Sequence, residues 1–171
     1  ENEKTLCSRL QASVERQLGD KFRIHGHVDQ LIDLVEAIFD NAASRPLTVV
    51  IDEFQEMKYV NEAFYGELQG VWDRIHRTHK LNLVVSGSVN RMMNEILFNY
   101  SAALYGRNTA HLRLDPFPVS LLKKILKDHS PRYTNGDLLD LWAITGGVAR
   151  YVAMLMDAGV VKRKKMLAFI F

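Results

Sequence analysis

The chain has 171 residues, 47% of them apolar and 25% charged, with a formal net charge of +2. That balance suits one globular domain, or a domain with a small appendage, and the near-neutral charge gives no strong argument for a nucleic-acid or membrane surface. No apolar run approaches the roughly 18 residues of a membrane helix, and the single cysteine, Cys7, excludes an internal disulfide and fits a reducing cytoplasm.

The chain opens with Glu1-Asn2-Glu3-Lys4, without Met and without a basic-then-apolar leader, and reads as an excerpt or a processed product. Leu6, Leu10 and Val14 recur every four residues and predict a helix from about Glu3 to Leu18, stopped by Gly19. A second helix is expected over Asp29 to Ala42, with Leu31, Leu34, Val35 and Ile38 on a broad apolar face. His25 and His27, before it, would line one side of a strand. Arg45-Pro46 ends the second helix, and Leu47 to Ile51 follow as a short apolar strand.

A third helix, near Asn61 to Thr78, carries Phe64, Leu68, Val71, Trp72 and Ile75 on one side. A second strand, Leu81 to Val85, ends in Ser86-Gly87-Ser88. The next helix holds Val89, Met92, Met93 and Ile96. Thr109 to Leu114 alternates Ala110, Leu112 and Leu114 against His111 and Arg113 and predicts a third strand. Strand, helix, strand in this order implies parallel pairing, and the apolar strands suggest a sheet covered on both faces. After Pro116-Phe117-Pro118 only helical periodicity remains, over Val119 to about Lys127, Gly136 to Ile144, Val148 to Met156 and Met166 to Phe171. The expected fold is therefore α/β, with a parallel-sheet unit over 1–116 and a helical unit over 117–171. Trp72 and Trp142 read as core residues of their helices.

Chemistry concentrates at the strand ends. The first strand runs into Asp52-Glu53, and ligands of parallel sheets bind beyond the carboxyl ends of strands. Asp52 would hold a metal ion through hard oxygen, and Glu53 would polarise an attacking water; a solvated acidic turn is the plainer alternative. Gln55 orients water or is a polar surface residue, the second being preferred. Ser86 and Ser88 would sense a phosphate at the neighbouring strand end, or Ser88 would cap the following helix. Arg107, just before the expected third strand, is a candidate phosphate-neutralising finger or an ordinary salt-bridge partner. Gly146, Gly147 and Arg150 open a helix near its N-terminus, where anions are favoured, or form a plain helix–helix turn. His76 and His79 lack the partners of a metal set. Lys162 to Lys165 is a short basic run.

The segments LTVVIDEFQEM (47–57), GELQGVWDR (66–74), LNLVVSGS (81–88), LYGR (104–107), HLRLDPF (111–117) and LWAITGGVARYV (141–152) together resemble the prokaryotic AAA+-type P-loop ATPases, and specifically the archaeal-type ATPase family. The resemblance implies a partial P-loop core followed by a helical lid, with ATP and Mg²⁺ as cofactors. It gives Asp52 the magnesium, Glu53 the water, Ser86 or Ser88 the sensor and Arg107 the finger role, with Gly146 and Gly147 near the adenine. Related proteins often carry proline at the position of Ala149. No G-x-x-x-x-G-K-[ST] loop occurs in the chain, so the expectation is one side of an ATP site, in a stretch beginning after that loop and inactive alone. A bared sheet edge beside the Asp52 strand would favour pairing with another copy. The competing functions are a nucleotide-dependent switch or scaffold with little turnover, and a nucleic-acid module using the Lys162 to Lys165 run.

Overall fold

The computed structural model describes residues 2–19, 22 and 24–170, leaving aside the side chains of Leu18 and Ile170. The chain divides into two compact units, Glu1–Ala110 and His111–Phe171.

The first unit starts with helix α1 (Glu3–Leu18), whose N-cap Asn2 accepts a hydrogen bond from the Thr5 amide and whose end is turned by Gly19 at φ 60°. Helix α2 (Leu31–Asp40) follows and tightens into a 3₁₀ turn over Asn41–Ala43. No strand includes His25 or His27 among the described residues; His27 instead lies 2.9 Å from Asp29. Strand β1 (Leu47–Ile51) leads into a 3₁₀ turn, Phe54–Glu56, and the short helix α3 (Met57–Val60). Helix α4 (Phe64–Ile75) then connects to β2 (Leu81–Val85), and α5 (Asn90–Leu97) comes after it.

The two strands pair in parallel, from Leu47 opposite Leu81 to Ile51 opposite Val85. Val49, Ile51, Leu81, Leu83 and Val85 face a core built on Leu34, Phe39, Phe54, Phe64 and Leu68. Burying each of these large side chains contributes about 1.5–3 kcal/mol. The other face is not covered, contrary to the sequence expectation. Thr48 and Asn82 are exposed on it, and Val50 and Val84 are 62% and 41% exposed. Alternation, rather than overall apolarity, decides which residues of these strands are buried.

The third expected strand is also absent among the described residues. Residues 107–118 belong to no described strand, and Leu112 and Leu114 are 83% and 88% exposed. The alternating pattern fits a strand, but a strand needs a partner to satisfy its backbone, and among the described residues the sheet has two members, β1 and β2.

The second unit contains α6 (Val119–His129), α7 (Asn135–Thr145), α8 (Ala149–Asp157) and α9 (Arg163–Ile170). Phe171, the expected last residue of α9, lies outside the described residues. Leu122, Leu126, Leu141, Val152, Leu155 and Met166 form its core. A reciprocal capping box between Thr134 and Asp137 starts α7, and Gly146 in the left-handed conformation ends it. Trp142 is 48% exposed and is not a core residue; α7 is apolar on nearly all sides, and Leu141 takes the inward position. Trp72 is half-buried. No described helix is long and apolar enough to cross a membrane.

Candidate functional site

Parallel pairing in register brings the two strand ends together. The ladder continues past the strands: the Ser86 amide donates to the Ile51 carbonyl at 3.0 Å, and the Phe54 amide donates to the Ser86 carbonyl at 2.8 Å. Phe54, fully buried, anchors the turn in the core. Its ring lies 6.2 Å from Phe64 and 5.2 Å from Tyr65, and its carbonyl accepts the Tyr65 hydroxyl at 2.9 Å. Burial of that hydroxyl raises the Tyr65 pKa to about 12.

On this base each acid meets one serine. The Ser86 hydroxyl donates to Asp52 Oδ1 at 2.5 Å, and the Glu53 amide donates to the same oxygen at 3.0 Å. The Ser88 hydroxyl and amide donate to Glu53 Oε2 at 2.8 and 3.2 Å. Ser88 does not cap α5: the N-cap is Val89, which offers no side-chain bond, and the hydroxyl turns to Glu53 instead. Hydrogen bonds to a carboxylate favour its charged form. Ser86, then the Glu53 amide, lowers the Asp52 pKa. Gln55, then Ser88, lowers that of Glu53, with the neighbouring Asp52 charge opposing.

Glu53 has φ 49° and ψ 43°, and it is the one non-glycine residue with positive φ among those described. The left-handed region costs a non-glycine residue on the order of 1–3 kcal/mol unless its surroundings hold it there. This turn is also why Gln55 is not a surface residue. The chain doubles back after Glu53, and both Phe54 and Gln55 become buried, Gln55 to 1% exposure. Its Nε2 donates to Glu53 Oε2 at 2.5 Å, while its Oε1 is buried without a donor among the described residues. Such an orphan acceptor costs about 1–3 kcal/mol. Nothing in the sequence announces the left-handed turn, because Glu rarely occupies it.

Magnesium uses hard oxygen ligands and usually keeps several waters, so one carboxylate with phosphate oxygens suffices. Among the described residues no donor reaches Asp52 Oδ2, and both nearby serine hydroxyls are hard donors. That set fits such an ion. It does not make an all-protein cage, since no described group of three or more His, Cys, Asp or Glu is gathered for a metal.

Arg107, the remaining candidate of the first unit, is engaged by another partner. Arg107 is held by Asp73 on α4, through Nε to Oδ1 at 2.8 Å and through a second nitrogen to Oδ2 at 2.6 Å. It also donates to the carbonyls of Ala103 and Tyr105 at 2.9 and 3.2 Å. The pair lowers the Asp73 pKa. Gly146, Gly147 and Arg150 belong to the second unit. There a β-carbon on Gly147 would lie 2.5 Å from the Phe117 carbonyl oxygen, and the Phe117 amide donates to the Gly147 carbonyl at 2.7 Å. The glycine admits the chain's own backbone. Arg150 is exposed. In the basic run, Lys162 bonds Asp137 at 2.6 Å and Arg163 lies 3.6 Å from Asp140, so half of it is engaged within the unit.

Comparison with known proteins bears on this corner. A family model described as an ATPase domain predominantly from Archaea matches residues 1–155. An uncharacterised protein of Methanocaldococcus jannaschii is 29% identical over 104 residues, which is 61% of this chain and 23% of that protein. The solved Walker-type ATPase PABY2304 of Pyrococcus abyssi superposes with a TM-score of 0.62 at 15% identity, over 98% of this chain and 54% of its own. The chain thus spans about half of that solved relative and under a quarter of the curated one.

Proposed function

The chain belongs to the family of ATPase domains found predominantly in Archaea, and from that premise we propose that it supplies the acidic, water-activating side of an ATP-hydrolysing site. The observation that carries this reading is the pairing of Asp52 with Ser86 and Glu53 with Ser88 at the carboxyl ends of adjacent parallel strands. A triphosphate docks at that rim in parallel α/β sheets. Asp52, with Ser86 beside it, would hold Mg²⁺, which when bound neutralises developing phosphate charge. Glu53 would take a proton from the attacking water, and the Ser88 hydroxyl, bonded to Glu53, would sense the γ-phosphate.

No phosphate-binding loop is written in the 171 residues, so the proposal gives this chain the acidic half of an AAA+-like site, a Walker B segment without its loop. It predicts little turnover by these residues alone. The second unit would be the lid of the intact protein, with the exposed Arg150 as a candidate phosphate contact. Arg107 can serve as a finger only after leaving Asp73.

The test is ATP turnover and nucleotide binding by the polypeptide that carries these residues. Glu53→Gln should abolish turnover and keep ATP bound, and Asp52→Asn should weaken the Mg²⁺ dependence of binding. A Glu53→Gln protein that hydrolyses ATP at the parent rate would sink the reading.

A further inference from the structure

Glu53 presents two unlike carboxylate oxygens. Three donors converge on Oε2: Gln55 Nε2 at 2.5 Å, the Ser88 hydroxyl at 2.8 Å and the Ser88 amide at 3.2 Å. No described donor reaches Oε1. Two of the three donors come from the β2 end, but the shortest contact comes from Gln55, buried beneath the acid.

Gln55 cannot turn over. Rotating its amide would set a carbonyl oxygen against the Glu53 carboxylate, acceptor against acceptor. The orientation that grips Glu53 leaves Gln55 Oε1 buried and unbonded, so the fold sacrifices one hydrogen bond to keep the other. The neighbouring loop is shaped to the same end. At Gly87 a β-carbon would stand 2.2 Å from Gln55 Oε1, so the absence of a side chain there gives the amide its place. Above it, Glu53 sits in left-handed backbone, a conformation that persists only where surrounding contacts over-determine it. A buried orphan acceptor, a side-chain-free neighbour and an unfavourable backbone all converge on one carboxylate.

We propose that Gln55 is a positioning residue: it grips one oxygen of Glu53 from below, holds that residue in its left-handed turn, and leaves the other oxygen as the one presented to the reacting water. This rests on the ATPase reading above. In the step it serves, the water oxygen bonds to the γ-phosphorus. The bridging bond to ADP breaks with its electron pair on ADP, and the water proton passes to Glu53 Oε1. Ser88 supplies the other two donors from the loop after β2, whereas Gln55 reaches the acid from within its own buried turn.

Gln55→Met tests this. Methionine fills a similar volume, offers no donor and removes the orphan acceptor, so folding is expected to survive; Gln55→Leu is the second variant. Gly87→Ala displaces the same amide with residue 55 intact. In isotope-labelled protein, the backbone signals of Glu53 and Ser88 should move in all three variants. In the ATP-hydrolysing polypeptide, kcat should fall about 10²-fold with KM for ATP held within about twofold, the mark of a misplaced group rather than a lost binding contact. Turnover of Gln55→Met at the parent rate, or unmoved Glu53 and Ser88 signals, overturns the proposal. A parent protein that does not turn over ATP overturns the function proposed above instead, and that control is read before any variant.

Discussion

Gly87 and Gln55 occupy one space: a β-carbon on the glycine would lie 2.2 Å from the Gln55 Oε1 and 2.6 Å from the Met93 sulfur. The backbone at Gly87 does not need positive φ, so alanine is excluded by its neighbours and not by its own conformation. Met93 is only half-buried and can swing aside, whereas Gln55 is buried and bonded to Glu53. Gly87→Ala should therefore destabilise the chain by about 1–3 kcal/mol, the usual cost of overpacking. Most of that loss should disappear in a Gln55→Ala background, where the space is open. Urea denaturation of the two single variants and the double variant measures the coupling, and additive losses would contradict the shared-space account.

The same logic applies to the sheet, where one face is packed and the other bare. Val49 lies against the core and Val50, next to it, points to the open face with 62% exposure. Val49→Ala should cost more than about 1 kcal/mol, because it deletes packed methyl groups. Val50→Ala should stay within about 0.5 kcal/mol, as surface changes do. Equal losses at the two positions would mean that the bare face is covered in solution.

Arg107 and Asp73 form a two-pronged pair that ties the segment after α5 to α4. The arginine side chain is 26% exposed and the aspartate 46%, between a surface and a buried pair. A double-mutant cycle with Arg107→Met and Asp73→Asn should give a coupling of about 1 kcal/mol, weakening with added salt. No measurable coupling would free Arg107 for other partners, including a phosphate.

Much of this was readable before any coordinates. The strands Leu47–Ile51 and Leu81–Val85 have the bounds expected of them, because short apolar runs there are closed off by Pro46, Asp52 and Ser86. Their parallel pairing follows from the helix between them, and with it the meeting of Asp52 and Glu53 with Ser86 and Ser88. Gln55 is buried, not on the surface, because of one left-handed residue before it, and φ is not written in residue type. The third strand failed for another reason: alternation over residues 109–114 is a local property, while a strand is made by its neighbour. Trp142 and Leu139, 48% and 62% exposed, show the limit of periodicity in a helix that carries apolar residues on its outer side as well as its inner one.

In the second unit, Asp137 is the residue whose charge depends most on its setting. It is buried at the start of α7, and its Oδ2 accepts from Lys162 Nζ at 2.6 Å and from the Thr134 amide and hydroxyl at 2.8 and 2.9 Å. Lys162 first, and then the Thr134 amide, holds its pKa below the usual carboxylate value. A depressed folded-state pKa means that the unfolded chain binds the proton more readily. The stabilisation is complete above the unfolded value of about 3.9 and is lost as pH falls through the lower folded value. Lys162→Met should raise the Asp137 pKa and shrink this dependence. Because the lysine is 58% exposed, the loss at neutral pH should not exceed about 1 kcal/mol. The gap between parent and variant should narrow as pH falls below about 4 and close only below the lowered folded value, where the carboxylate is protonated in both. Urea denaturation from pH 7 to pH 3 gives the two curves. Parallel curves would show that the lysine acts on stability by packing its stem and not through its charge.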